Sequence, residues 1–466
     1  MPEAPDRVSP SSKNVVVIGG GISGLSAAYD LERGGVSCTI LEKQAHPGGV
    51  IETRVAGDCT LDCGPDSFLS AKPEALALIA ELGLESEVIG SNDHQRTTYI
   101  WKHGRLIPLP EGVMMIVPTR ILPMAKSPLL GWRTKLRMAA EVFREPGGGG
   151  DRSIADFVID HFGQEALDYL AEPLLSGVYG GDPARLSVAS VLPRFLQMEA
   201  KYGSLVRGVL ASTRNASRGK GESSGPLFRT LKSGLGKLTG ALAARAKVCH
   251  ARAETIERRG GGGFRIRAHG NWMEADHVIV ACPAWAAAQL LAPVDSKLAE
   301  GLGGIEYSSS LTLSLIYRAS DFDGMRAGFG FLVPKKERQR LAACTFVGTK
   351  FSHRVPEDRI ALRCFFGGTS DEAVLGESDE ALIAIARAEL RPILGLTAAP
   401  LDHAIARWPR SMAQYNVGHA QRIADIRARA AGIPGLHLAG NAYEGIGIPD
   451  CIRTGRQAAK NILATS

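Results

Sequence analysis

Three glycines spaced Gly19-x-Gly21-x-x-Gly24, with an acidic Glu42 after them, are the residues near the start of the chain with the clearest chemical potential. In this spacing the first glycine permits a tight turn and the second lets the backbone approach a pyrophosphate. The third lets a helix pack on a strand, so that the helix N-terminus faces the phosphates. The glycines alone are a weak signal. Glu42 strengthens it, because it ends the next apolar segment, where a carboxylate can accept hydrogen bonds from ribose hydroxyls. The chemistry expected here is dinucleotide binding.

A second set of glycines decides which dinucleotide. Gly48-Gly49 and Gly64-Pro65 follow Glu42 closely, and far along the chain AGNAYEGIGIPDCI carries Gly440, Gly445 and Gly447 just before Pro449 and Asp450, which mark a helix start. A chain that returns to a glycine-rich strand-helix junction near its end could aim a second helix dipole at a flavin ring and stabilise negative charge there on reduction. That is the logic of an FAD site rather than an NAD site. Cys451 stands beside it and is expected to be a small buried helix residue rather than a covalent tether.

The elements that must position these residues are visible in the hydrophobic pattern. Val15-Val16-Val17-Ile18 reads as a parallel strand buried on both faces, followed by a helix through Leu25, Ala28 and Leu31 and a second strand from Val36 to Leu41. Residues 73–84 read as a helix, WRTKLRMAAEVF as an amphipathic helix, and Ile154 to about Leu210 as a helical region. The polar stretch 213–226 reads as an exposed loop. A second α/β stretch begins near Leu227, with Lys247 to Arg258 strand-like and 276–281 a buried strand. Between about 300 and 405 alternating segments predict a sheet of different character, partly antiparallel. Gly435 to Gly440 and Asp450 to Leu463 close the chain as strand and helix.

Composition bounds the class. The 466 residues are 45% hydrophobic and 22% charged, ordinary for a folded globular protein, which excludes collagen-like and disordered chains. The net charge of +6 is spread along the length, too diffuse for nucleic acid binding but suited to an anionic substrate or a membrane surface. The eight cysteines show one close pair, Cys59 and Cys63, and no second pair to complete a zinc site, so no metal is expected. Residues 1–13 lack the apolar core of a signal peptide and no run of 18 apolar residues occurs, so a cytoplasmic protein without export or a transmembrane span is expected.

Together GGGISGL, EKQAHPGG, GPDSFL, RLIPLP, EPLLSGVYGGDPARLS, RWPRSMAQYNVGH and AGNAYEGIGIPDCIRTGRQAA resemble the oxygen-dependent porphyrinogen oxidases of haem biosynthesis, within the amine-oxidase-like flavoproteins. The resemblance runs from about residue 14 to 463, and its middle and last motifs are specific to these oxidases. It implies noncovalent FAD, hydride removal from a porphyrinogen, O2 as acceptor and hydrogen peroxide as product. It also implies a mixed α/β and α+β fold: an FAD-binding Rossmann-like domain, an inserted helical domain and a mixed-sheet substrate domain. These are expected at 14–90, 227–295 and 406–466 for the first, 91–212 for the second and 296–405 for the third; within the second, the apolar segment 106–131 reads foremost as core packing, with a channel or shallow membrane contact as the alternative.

By match to family motifs, cofactor contacts are implied at Gly19, Gly20, Gly21, Ile22, Ser23, Gly24, Glu42, Lys43, Val50, Gly64, Pro65, Asp66, Ser67, Val248, Trp408, Ile446, Gly447 and Ile448. GFGFLVP resembles the segment that sandwiches the macrocycle, which implies Phe329, Gly330 and Leu332 on the substrate side. Where the membrane-associated members carry a propionate-binding arginine, this chain has Thr98. Lys72 instead matches a lysine that the Gram-positive type uses toward substrate carboxylates. Lys72 and the GIPDCI ending favour coproporphyrinogen III, with four propionates, over protoporphyrinogen IX, with two. No side chain is nominated as a catalytic base. A flavin amine oxidase, a carotenoid desaturase and a flavin-free binding protein on the same scaffold are the competing readings.

Overall fold

The structure, a computed structural model, describes residues 13–465 except 115, 119, 148, 219–224, 323 and 325. Val15–Ile18 forms a strand because four consecutive apolar side chains can all be buried only between parallel neighbours with both sheet faces covered. It pairs in parallel with Cys38–Leu41 on one side and His277–Val280 on the other. Val248–Cys249 and Leu436–Leu438 extend this sheet at its two edges. The sheet therefore gathers strands from the beginning, the middle and the end of the chain.

The helices that cover it bring the two glycine clusters together. Ile22–Arg33 buries Leu25, Ala28 and Leu31 against the sheet, and the final helix, Ile448–Leu463, packs against it. The approach is close enough to require a glycine: a Cβ on Gly455 would stand 2.1 Å from the Ser23 carbonyl oxygen.

A second, seven-stranded sheet runs in the order Asp402–Ala413, Tyr307–Arg318, Arg359–Gly367, Ala343–Phe346, Gly330–Leu332, Thr98–Lys102 and Arg105–Pro108. It is antiparallel except where Gly330–Leu332 lies parallel to Thr98–Lys102, so the sheet is mixed. It draws strands from 98–108 and 402–413 as well as from within 296–405.

Helices between residues 121 and 218 form a third body around a core that includes Leu129, Phe157, Phe162 and Leu205. The loop expected at 213–226 is an observed difference in its first part. Leu205–Arg218 is one helix, anchored where Glu141 accepts the Leu205 and Val206 N–H groups at 2.6 and 3.2 Å; Gly208 within it packs against Met198, and no proline interrupts it. Residues 219–224 of that expected loop, and 1–12 of the polar N-terminal stretch, lie outside the described residues. The strand-like stretch Lys247 to Arg258 divides between two sheets, as Val248–Cys249 and Ala253–Arg258. No helix among the described residues is long and apolar enough to cross a membrane.

Candidate functional site

The first glycine cluster has the geometry its spacing predicts. Gly19 takes φ +106°, a left-handed value that favours glycine, directly at the end of the central strand. A Cβ on Gly24 would stand 2.0 Å from the Gly19 oxygen, so the turn and the helix behind it close only with glycine there. Gly21 differs. Nothing lies within 4 Å of where its Cβ would be, so the protein leaves open space at the mouth of the turn. Gly21 is also the N-cap of Ile22–Arg33 and provides no side-chain cap, leaving the helix N-terminus suited to an anion.

Glu42 is buried at the end of the second strand and accepts the Gly20 N–H at 2.6 Å and the Gln44 N–H at 2.8 Å. Its carboxylate is thereby held beside the glycine turn with lone pairs remaining for a diol. The loop containing Gly48 and Gly49 folds back on the same turn, with the Gly48 N–H donating to the Gly20 oxygen at 2.8 Å. Lys43 rests over the Trp285 ring, 5.6 Å from its centroid, and Val248 pairs with Ile40 at the sheet edge.

The second cluster leads into the final helix, which packs against the first at Ser23 and Gly455. Gly447 caps Ile448–Leu463 without a side-chain hydrogen bond, so a second helix N-terminus is open. Its approach is fixed by Tyr415, whose hydroxyl donates to the Asn441 oxygen and accepts the Gly445 N–H, both at 2.8 Å. The buried Cys451 thiol is pushed up to about 12, chiefly by burial, as expected of a packed helix residue.

Gly64 to Ser67 connects this region to the seven-stranded sheet. Trp408 Nε1 and Thr312 Oγ1 donate to the Cys63 oxygen at 2.9 and 2.6 Å, and Arg363 donates to the Gly64 oxygen. Asp66 accepts from Lys350 at 2.8 and 2.9 Å and lies 3.5 Å from Arg363. Burial alone would raise the Asp66 carboxyl, but Lys350 and Arg363 overcome it and hold it well below the usual carboxylate range.

A cavity opens at this junction. Val50, Gly64, Trp408 and Ile446 line it, joining it to the two glycine clusters, and Lys335, Arg338 and Arg363 bring cations to its wall. Glu172 and Asp182 are its carboxylates. Lys72, Phe329, Gly330 and Leu332 are not among its lining residues. Lys72 is bound to Asp450 and Phe329 is buried. Gly330 begins its strand, and Leu332 packs toward Gly177, which does line the cavity. Sequence reasoning missed Glu172, Lys335, Arg338 and Arg363. Glu172 opens the EPLLSGVYGGDPARLS motif, whereas the cations carry no spacing signal of their own.

The two uncapped helix N-termini, the buried Glu42 and the open space at Gly21 are the parts that an FAD needs, so the residues present fit that cofactor. The sequence pattern of the family described as Flavin containing amine oxidoreductase matches residues 22–463. Coproporphyrinogen III oxidase of Bacillus subtilis (strain 168) is 32% identical, with 98% of this chain and 99% of that protein covered. The chloroplastic protoporphyrinogen oxidase of rice is 26% identical, with 97% of this chain and 88% of that protein covered. Among solved structures, a protein from Exiguobacterium sp. 255-15 assigned as a protoporphyrinogen oxidase superposes with a TM-score of 0.87 at 30% identity, over 98% of this chain and all of that one.

Proposed function

The chain belongs to the flavin containing amine oxidoreductases and is an FAD-dependent oxidoreductase, and from that premise we propose that it oxidises coproporphyrinogen III to coproporphyrin III. The observation that carries this reading is the cavity at the flavin-side junction. Its wall combines apolar residues such as Val50, Ile446 and Phe365 with the cations Lys335, Arg338 and Arg363, which stand beside Asp182, Glu172 and Asp66 respectively. A flat apolar macrocycle with carboxylates at its rim needs both. Four propionates suit such a wall better than two, which favours coproporphyrinogen III over protoporphyrinogen IX.

FAD would supply hydride acceptance, with O2 as the final acceptor and hydrogen peroxide as product. Three rounds remove six electrons and leave the aromatic macrocycle. In this reading Gly19, Gly20, Gly21, Ile22, Ser23 and Gly24 hold the pyrophosphate and Glu42 the ribose. Lys43, Val50, Gly64, Pro65, Asp66, Ser67, Val248, Trp408, Ile446, Gly447 and Ile448 complete the cofactor site. Phe329, Gly330 and Leu332 support the substrate side from behind the cavity wall, and Lys72 reaches a propionate by exchanging it for Asp450. The FAD-binding segments, the helical body and the mixed sheet, which takes in strands from 98–108 and 402–413 as well as from 296–405, meet around the flavin. The test is stoichiometry: three O2 consumed and three hydrogen peroxide formed for each coproporphyrin released.

A cytoplasmic protein resting on the inner face of the membrane is part of the same reading. Its support is a surface of the helical body where Trp132 and Leu136 stand exposed one helical turn apart, with Phe143 beyond them at 82% exposure. Arg133 and Arg137 lie on the same helix as Trp132 and Leu136 and Lys126 ends the helix before it; Glu141 is buried, and Glu145 beyond Phe143 is exposed. An apolar ridge with a basic border suits an anionic lipid surface.

A further inference from the structure

We infer that Glu172 takes the proton that a porphyrinogen loses from a pyrrole N–H in the first round of oxidation, an inference that rests on the porphyrinogen reading above. The chemistry demands such an acceptor. A methylene C–H bond breaks with its electron pair leaving as hydride to the cofactor, while a pyrrole N–H bond breaks and leaves its electron pair to form the new conjugated C=N linkage. Two electrons and two hydrogens are thus removed together, one hydrogen as hydride and one as a proton. In a cavity whose wall is apolar in part, a carboxylate set into that wall can take the proton.

The backbone is built to place Glu172 there. Leu167–Ala171 forms a π-helical turn immediately before the helix Glu172–Tyr179. A π turn inserts a residue into the helical ladder and rotates the face that follows, a feature that recurs at functional sites. After it, Glu172, Ser176 and Gly180, spaced by four, all line the cavity, and Gly180 ends the helix in the left-handed conformation.

The carboxylate is also held in position. Arg338 Nη2 donates to Glu172 Oε1 at 3.0 Å and stands 3.3 Å from Ser176 Oγ, while the Lys335 N–H donates to Oε2 at 2.8 Å. Each oxygen keeps a lone pair, so orientation and basicity coexist. The Glu172 side chain is 10% exposed, against 33% for Asp182, the cavity's other carboxylate, which lies 3.5 Å from Lys335 Nζ. Burial raises the proton affinity of Glu172, and Arg338 only partly opposes it. A carboxylate tuned upward is the better base near neutral pH.

The test uses the FAD-loaded full chain and the substitution Glu172→Gln, which keeps the shape and an acceptor for the Lys335 N–H. With coproporphyrinogen III, kcat falls about a hundredfold while KM and the flavin spectrum stay close to wild type, and the acid limb of the kcat profile disappears. An ion pair serving only to hold the helix would not remove that limb. If E172Q does not retain flavin, Glu172→Asp carries the test: the rate of flavin reduction by substrate falls while the acid limb remains. Wild-type rates and an intact pH profile in E172Q, or wild-type flavin reduction in E172D, overturn the inference. A wild-type enzyme that oxidises no porphyrinogen overturns the underlying reading as well.

Discussion

The Lys72 ammonium is bound by both oxygens of Asp450, at 2.7 and 2.6 Å, which ties the segment after GPDSFL to the first turn of the last helix. Lys72 remains 44% exposed while Asp450 is 10% exposed, so the lysine is the partner able to swing away. In the proposed reading, a substrate carboxylate entering from solvent takes Asp450's place. Lys72→Met is therefore expected to raise KM for coproporphyrinogen III about tenfold, roughly 1.4 kcal/mol, with kcat and flavin content held. Steady-state kinetics check this. Unchanged KM with loss of flavin would leave Lys72 as a counter-ion for Asp450 alone.

The glycines separate structural need from cofactor need. Gly24→Ala places a methyl 2.0 Å from the Gly19 oxygen and is expected to destabilise the fold by roughly 3 kcal/mol or more. Gly21→Ala meets no protein atom within 4 Å and its φ of −71° suits any residue, so it is expected to cost less than about 1 kcal/mol. Its methyl would stand where the pyrophosphate belongs, and FAD affinity should fall at least about tenfold. Thermal unfolding of the apoprotein and FAD titration distinguish the two effects.

Two histidines set an acid limit on stability. His419 stacks on Tyr415 with centroids 4.0 Å apart, and burial followed by the nearby Arg422 lowers it to about 4. His437 is likewise lowered to about 4 by burial and by His277. Both are neutral when folded, whereas the unfolded chain binds protons once the pH drops below the ordinary histidine value of 6.5. Their contribution is complete above that value and lost as pH falls toward 4. Melting temperature should decline across this window, and less steeply in His419→Asn. Equal slopes in both proteins would count against His419.

The basic, apolar ridge predicts a salt-sensitive membrane contact. Wild-type protein should co-sediment with vesicles containing phosphatidylglycerol and much less with neutral phosphatidylcholine vesicles. Replacing Trp132 and Phe143 together by serine should abolish sedimentation without changing the melting temperature, since both side chains are exposed, at 66% and 82%. Binding retained by that double variant would contradict the assignment of this surface.

The sequence revealed what depends on local spacing and concealed what depends on distant chain segments meeting. Val15 to Ile18, the turn of Gly19 to Gly24 and the acidic Glu42 are neighbours along the chain, and their periodicity and backbone demands can be read directly. The return of Gly445 and Gly447 to the same site was legible because glycine-rich strand-helix junctions are rare enough to stand out. The cavity wall was not. Glu172 lines it directly after a π turn, and hydrophobic periodicity does not reveal a π turn. Arg338 and Arg363 stand 25 residues apart and converge through the folding of a seven-stranded sheet. The partnership of Lys72 with Asp450 spans 378 residues and has no local signature.

The central claim concerns the substrate, and oxygen uptake tests it most directly. Purified, FAD-loaded protein is given coproporphyrinogen III or protoporphyrinogen IX at equal concentration, and porphyrin fluorescence follows product formation. Faster oxygen consumption with coproporphyrinogen III, accompanied by coproporphyrin fluorescence, is the expected result. A faster reaction with protoporphyrinogen IX would reverse the preference argued from the cationic wall, and no uptake with either substrate would contradict the assignment itself.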